Sequence, residues 1–327
     1  MTTMTRRTLL AGAGSLGLAG VLGLRPALAQ AFPEKDFTYV IPYTPGGMSD
    51  NISRIMGERL AAATGKKVIN DYKAGAGGAI GANYYMGLKP DGYSLLQSTN
   101  SFYGVIPAVT KVEYDPKTDL TPLVLIGDAP MVIAVSPSVG VKTLQELFAY
   151  AKKNPGKLAY ATSGRGTVGH LSGVWIANRG GVDLLHIPYN GAGEALQACL
   201  SGEAQLFIGP EAAEHILAGK LIGLGTMGDK RWSGLPDVPS TVEAGVPGWA
   251  PRSWHTITVH SKVPDPVKQQ LATAVNKILA SDDVKDRLVK FGLIPGIVDL
   301  AGMRKRADDD LVEFGVLIKD AGLALKK

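Results

Sequence analysis

The sequence predicts an α/β protein of two lobes with a ligand cleft between them. Three observations carry this. Short apolar runs that read as strands alternate with helical patterns in two successive blocks. Glycine-rich loops separate strand from helix in both blocks. The stretch after the second block, to Lys327, reads mostly as helix and has no sheet of its own, so it should return to cover the first block. The chain then crosses between lobes twice, near 128–135 and near 250–258. Two antiparallel connections of this kind make a hinge, and a hinged α/β pair holds its ligand between the lobes.

In the first block, Phe37 to Tyr43 reads as a strand and Asn51 to Thr64 as a helix. Ile52, Ile55, Met56, Leu60 and Ala63 fall on one helical face, and Gly65 stops the helix. Strands follow at Lys67 to Asp71 and Tyr93 to Ser98, with a second helix between them, and the alternation suggests a parallel sheet. In the second block Met131 to Val135 is a strand, and Thr143-Leu-Gln-Glu146 is a capping box opening a helix. Strands at Leu158 to Ala161, Leu184 to Pro188, Gln205 to Ile208 and Leu221 to Leu224 complete the block. Trp254 to His260 alternates like a strand, and Asp265-Pro266 caps a long helix. The expected division is a first domain of residues 30–130 plus 257–327 and a second of residues 131–256.

Residues 1–29 read differently. Arg6 and Arg7 precede an apolar, glycine-rich run from Leu9 to Leu24 that closes on the small-x-small pattern Ala27-Leu-Ala29. This is the pattern of a secretory leader of the twin-arginine type, cleaved after about Ala29. The run is shorter than the roughly 20 apolar residues that span a bilayer. The sequence therefore places the mature chain in the periplasm. The whole chain carries 34 basic and 29 acidic residues; without Arg6, Arg7 and Arg25 the balance is 31 minus 29, or +2. A balance so near zero gives no case for nucleic-acid binding. Cys199 is the single cysteine, so no internal disulfide forms, and its apolar helical setting reads as a buried, inert thiol.

Four loops carry the candidate chemistry: Thr44 to Asp50, Lys73 to Gly78, Thr162 to Thr167, and Tyr189 to Gly193. A loop in this position aims free backbone N–H groups and the positive end of a helix dipole at the carboxyl edge of a sheet. Loops of this kind on two lobes can hold a carboxylate without an arginine.

These segments resemble the receptors of the tripartite tricarboxylate transporters, the Bug or TctC-like family. Ile41-Pro-Tyr-Thr-Pro-Gly-Gly-Met-Ser-Asp50 with Arg54 is similar to the family's first signature. Ala74 to Gly81 with Pro90 to Leu96 is similar to its second, and Ala161 to Leu171 to its third. His186 to Gly191 and Leu235 to Gly245 are similar to its fourth and fifth. The resemblance spans essentially the whole mature chain. It implies a type II-like periplasmic-binding-protein fold that closes on a small organic carboxylate, di- or tricarboxylate or aromatic, and hands it to membrane permease subunits. It implies a monomer, and it implies neither cofactor nor metal. Carried over residue by residue, the first lobe contributes Tyr43, Thr44, Gly47, Met48, Ser49 and Asp50, with Asn100 and Ser101 from the loop Thr99 to Ser101. The second lobe contributes Thr162, Ser163, Gly166, Thr167 and His170, and Tyr189 and Asn190 form part of the wall. Two departures stand out. Gly209-Pro-Glu211 replaces the family's frequent Phe-Asp-Asn, and Ser253-Trp-His-Thr256 replaces Ser-Trp-Phe-Gly, which makes His255 a candidate for a second anionic group.

Rival readings lack support in the residues. Gly75, Gly77 and Gly81 are spaced i, i+2, i+6, whereas a dinucleotide fingerprint needs i, i+2, i+5. Neither His-Glu-x-x-His nor a Gly-x-Ser-x-Gly elbow before a helix occurs. No enzyme is expected. A receptor that signals through a sensor instead of a permease remains the alternative.

Overall fold

The computed structural model describes residues 32–296 and 298–325. The leader and its cleavage point lie outside the described residues. In chain order the elements are β1 (Phe37–Ile41), α1 (Met48–Thr64), β2 (Val68–Tyr72), α2 (Ala79–Met86), β3 (Ser94–Thr99), α3 (Val105–Val109) and β4 (Leu120–Pro130). The second block holds β5 (Val132–Val135), α4 (Leu144–Lys153), β6 (Ala159–Thr162), α5 (Val168–Gly180), β7 (Leu185–Pro188), α6 (Ala192–Ser201), β8 (Leu206–Ile208), α7 (Ala212–Leu217) and β9 (Ile222–Thr226). β10 (Arg252–His260), α8 (Asp265–Leu279), α9 (Asp282–Lys290) and α10 (Leu300–Asp320) follow.

Two five-stranded sheets organise these elements, in the orders β2-β1-β3-β10-β4 and β7-β6-β8-β5-β9. Each is the centre of a lobe, as the two-lobed α/β reading requires. The wiring repeats. In each sheet the fourth strand has just arrived from the other lobe, β10 in the first and β5 in the second, and it runs antiparallel to both neighbours. The sheets are therefore mixed, where the sequence suggested purely parallel ones. The remaining described pairs, β1 with β2 and β3, and β6 with β7 and β8, are parallel.

β4 is the strand that sequence reading missed. Pro122, Gly127 and Pro130 interrupt its apolar pattern, yet it runs for 11 residues. Its place at the edge of the sheet explains this, because an edge strand tolerates a residue with no N–H to donate. Pro122 also falls at a register shift opposite Ile257 and Thr258. At its far end β4 passes through Met131 into β5, while β10 enters the first sheet at Arg252, opposite Pro130. Met131 N–H donates to Pro251 C=O (3.4 Å), so the two crossing segments lie side by side.

Local signals explain the helices. In α1, Ile52, Ile55, Met56 and Leu60 are buried, and Gly65 closes the helix in the left-handed conformation (φ 68°) with its N–H on Ala61 C=O. Thr143 caps α4 by accepting from Glu146 N–H, but Glu146 reaches back to Lys142 N–H, one residue beyond the expected box. α10 straddles the lobes. Met303 and Ala307 pack into the first core with Val40, Leu96 and Trp254, while Phe314 and Ile318 join Ile133, Leu171 and Trp249 in the second. Its acids receive both indoles: Trp254 Nε1 donates to Asp310 (2.6 Å) and Trp249 Nε1 to Glu313 (3.0 Å). Cys199 is buried, and burial pushes its thiol up to about 12. Among the described residues no helix is long and apolar enough to cross a membrane.

Candidate ligand-binding cleft

The lobes meet at the carboxyl ends of β1, β3, β6 and β8, where the loops before α1, α5 and α6 face one another. Thr44 N–H donates to Asn190 C=O (3.2 Å), and Val168 N–H, opening α5, donates to Ser101 Oγ (3.2 Å). Glycine permits the approach. A Cβ on Gly77 (φ 66°) would lie 2.0 Å from Arg165 C=O, and one on Gly164 (φ 126°) 2.7 Å from Gly77 Cα. These contacts join residues of opposite lobes, so the molecule is closed.

Inside the closure is a cavity in which the centre of a water-sized sphere moves through about 50 Å³. At roughly 10–15 Å³ per water, that is room for about four waters or a small solute. Half of the sequence-predicted residues line it: Tyr43, Gly47, Met48 and Ser49 from the first loop, Ser101 from the turn after β3, His255 from β10, and Ser163 and Thr167 from the second lobe. Gly47 is the N-cap of α1 and Thr167 that of α5, so first-turn N–H groups with no intrahelical acceptor border the cavity.

The other half sits elsewhere. Asp50 turns back on its own loop, where its carboxylate accepts from Gly46 N–H (2.9 Å), Arg54 Nε (2.8 Å) and the Tyr72 hydroxyl (2.5 Å). These bonds hold its carboxyl below its usual value against the opposing effect of burial. Asn100 donates to Arg252 C=O (2.8 Å). Thr162 Oγ1 lies 2.7 Å from His186 Nε2, and His170 stacks on His186 at 4.2 Å, all inside the second lobe. Desolvation lowers His170 to about 4 and His186 to about 3, so both are neutral packing groups near pH 7. Thr44, Asn190 and Gly166 serve the lobe–lobe contact, Gly166 (φ 83°) lying against Ile106 and Val109 of α3. Tyr189 lies at the rim with its hydroxyl on Glu203 (3.0 Å).

His255 is the best-defined polar group of the cavity wall. It is buried on β10, and desolvation holds it near 4. The Tyr39 hydroxyl donates to Gln97 Oε1 (2.5 Å), which turns the Gln97 amide nitrogen toward His255 Nδ1 (3.4 Å). This buried relay assigns Nδ1 as acceptor and Nε2 as the proton-bearing nitrogen, so the ring can offer the cavity one N–H. Thr99 Oγ1 adds a second polar atom. It is buried and faces the Tyr43 hydroxyl, but it completes no hydrogen bond of good geometry.

Sequence reasoning missed the end of β8 and the segment after it. Phe207, Ile208, Gly209, Pro210 and Glu211 form one side of the cavity, with Met131, Val168, Gly169 and Ala192 nearby. Glu211 is only partly exposed, and it lines the cavity together with Met48 of the other lobe. Burial raises its carboxyl above the usual range. The departure from Phe-Asp-Asn at this point was the available signal. Two cationic residues near the cleft are engaged elsewhere: Arg252 with Asp128 (2.6 Å), and Arg54 with Asp50 (2.8 Å).

Residues 52–323 match the Tripartite tricarboxylate transporter family receptor. The chain belongs to this receptor family. It is 29% identical over 305 residues to Protein BugT of Bordetella pertussis, covering 92% of this chain and 94% of that protein. A solved R. palustris protein with adipate superposes with a TM-score of 0.85 at 30% identity, covering 90% of this chain and 99% of that one. MatC from Rhodopseudomonas palustris with bound malate gives 0.84 at 26% identity, covering 88% and 100%. The receptors among these neighbours share the two-lobed fold.

Proposed function

We propose that the chain is an exported, periplasmic solute-binding protein. It captures a small organic carboxylate between its lobes and delivers it to the membrane subunits of a tripartite tricarboxylate-type transporter. The observation that carries this reading is the closed cavity, bordered by the N-terminal turns of α1 and α5 and holding the partnerless Thr99 hydroxyl and the Nε2–H of His255. Such donors are fixed before the ligand arrives, so they hold an anion at little cost in reorganisation. The neighbours solved with adipate and malate support the carboxylate class. The work of the protein is a hinge equilibrium: only the closed form presents both lobes to the solute, so the solute biases closure.

A thermal-shift panel of carboxylates tests this reading. A ligand that binds only the folded state stabilises it by mass action, by about 2.7 kcal/mol at a hundredfold excess over Kd, and so raises the melting temperature. We expect at least one small acid to raise it and nucleotides to leave it unchanged. A response to nucleotides with none to acids contradicts the reading.

A further inference from the structure

Among the described residues lining the cavity, Glu211 is the one acidic side chain, and no lysine or arginine joins it. It stands on the second lobe and lines the cavity together with Met48, which opens α1. The start of α1 is a helix end of the kind that a solute's carboxylate seeks. Glu211 thus sets an acid of the chain's own beside one anion position. The donors open to a solute include the His255 ring, the hydroxyls of Thr99, Ser49, Ser163 and Ser253, and the first-turn N–H groups of Gly169 in α5 and Ala192 in α6. Between the two ends the wall is apolar, from Met131, Val168, Phe207 and Ile208.

A second carboxylate on the solute would have to share this small space with Glu211 and would meet no cation there. Like charges sharing a buried site disfavour each other. On the carboxylate-receptor reading above, we infer that the solute carries one carboxylate and, at the end facing Glu211, a hydrogen-bond donor or an ammonium group. An ω-amino acid or a monoamide of a diacid meets this description, and the parent diacid does not. The position therefore sets specificity by repulsion as well as by attraction.

Isothermal titration at pH 7.5 tests the inference. The probes are unbranched diacids of three to seven carbons, their monoamides and the matching ω-amino acids. The proteins are the wild type and Glu211→Gln, which keeps the shape and removes the acid. In the wild type, the best monoamide or amino acid should bind at least tenfold tighter than its parent diacid. Glu211→Gln should shrink that ratio at least tenfold. A wild type that binds a diacid as tightly as its partner overturns the inference and leaves the receptor reading intact. An unchanged ratio in a folded Glu211→Gln protein does the same. If neither protein binds any carboxylate, the receptor reading falls and the inference with it. The wild-type ratio decides the matter even if the variant does not fold.

Discussion

The two walls of the cleft differ more than their shared wiring suggests. Both sheets use the same strand order, and both place glycine loops at helix starts. The first-lobe wall is polar and built for donation: Thr99, Ser101 and His255 stand on or beside β3 and β10, with the Tyr39–Gln97 relay behind the ring. The second-lobe wall is mostly apolar, and Glu211 is its one acidic residue. Similar topology therefore supplies the frame, and side chains on three strand ends divide recognition between a donor wall and a selective wall.

The largest expected effect comes from preventing the walls from meeting. Gly77→Leu puts a side chain where Arg165 C=O lies in the closed form. It should abolish detectable solute binding in titration. Stability should fall only modestly, since the left-handed strain costs on the order of 1–3 kcal/mol. Unchanged affinity would mean that this contact is not part of closure. Next in size is the donor wall. Gln97→Leu removes the amide that fixes the His255 tautomer and strands the Tyr39 hydroxyl, and a buried polar group left unsatisfied costs about 1–3 kcal/mol. Affinity for the best carboxylate should fall roughly tenfold, and the imidazole nitrogen shifts of His255 should show a mixed tautomer by NMR. A pure Nε2–H tautomer in the variant would refute the relay.

Smaller still is Thr99→Val, which keeps the shape and removes the partnerless hydroxyl. It should leave the melting temperature within about a degree or two, as expected for a loss well under 1 kcal/mol, and weaken binding severalfold. Equal binding would take Thr99 out of the site.

The last contrast is with pH. His170, His186 and His255 have folded pKa values of about 4, 3 and 4, below the unfolded 6.5. The unfolded chain therefore takes up protons first. Their contribution is fully present above pH 6.5 and is lost as pH falls toward 4. Asp310, raised to about 6 by burial, acts in the opposite direction between 6 and its unfolded value, and so offsets part of the loss. The melting temperature should fall between pH 7 and pH 4.5, and His186→Asn should flatten that fall. A flat profile in the wild type would mean that the histidines are hydrated.

Much of the frame was legible because local chemistry and global fold agree. The amphipathic face of α1 and its Gly65 stop are examples. The start of α1 was placed three residues late because its N-cap is Gly47, which offers no side-chain signal, while Asp50 looks like a cap and instead bonds backward to Gly46. β4 was hidden because an edge position excuses prolines that a central strand forbids. In the site, residues on the glycine loops were readable, since the loop itself marks a helix start. His170 and Thr162 lie on the right elements but face the second core, and one sequence does not tell which way a side chain points. Glu211 follows a buried strand, where an apolar run such as Leu206-Phe-Ile208 reads as core alone.

The most direct measurement is a crystal structure of the protein grown with the tightest-binding monoamide or ω-amino acid. The account predicts the solute between the lobes, its carboxylate on Thr99, His255 and the first turns of α5 and α6, and its amide or ammonium group within hydrogen-bond distance of Glu211. A solute bound outside the gap between the lobes, or one whose carboxylate sits against Glu211, would contradict it.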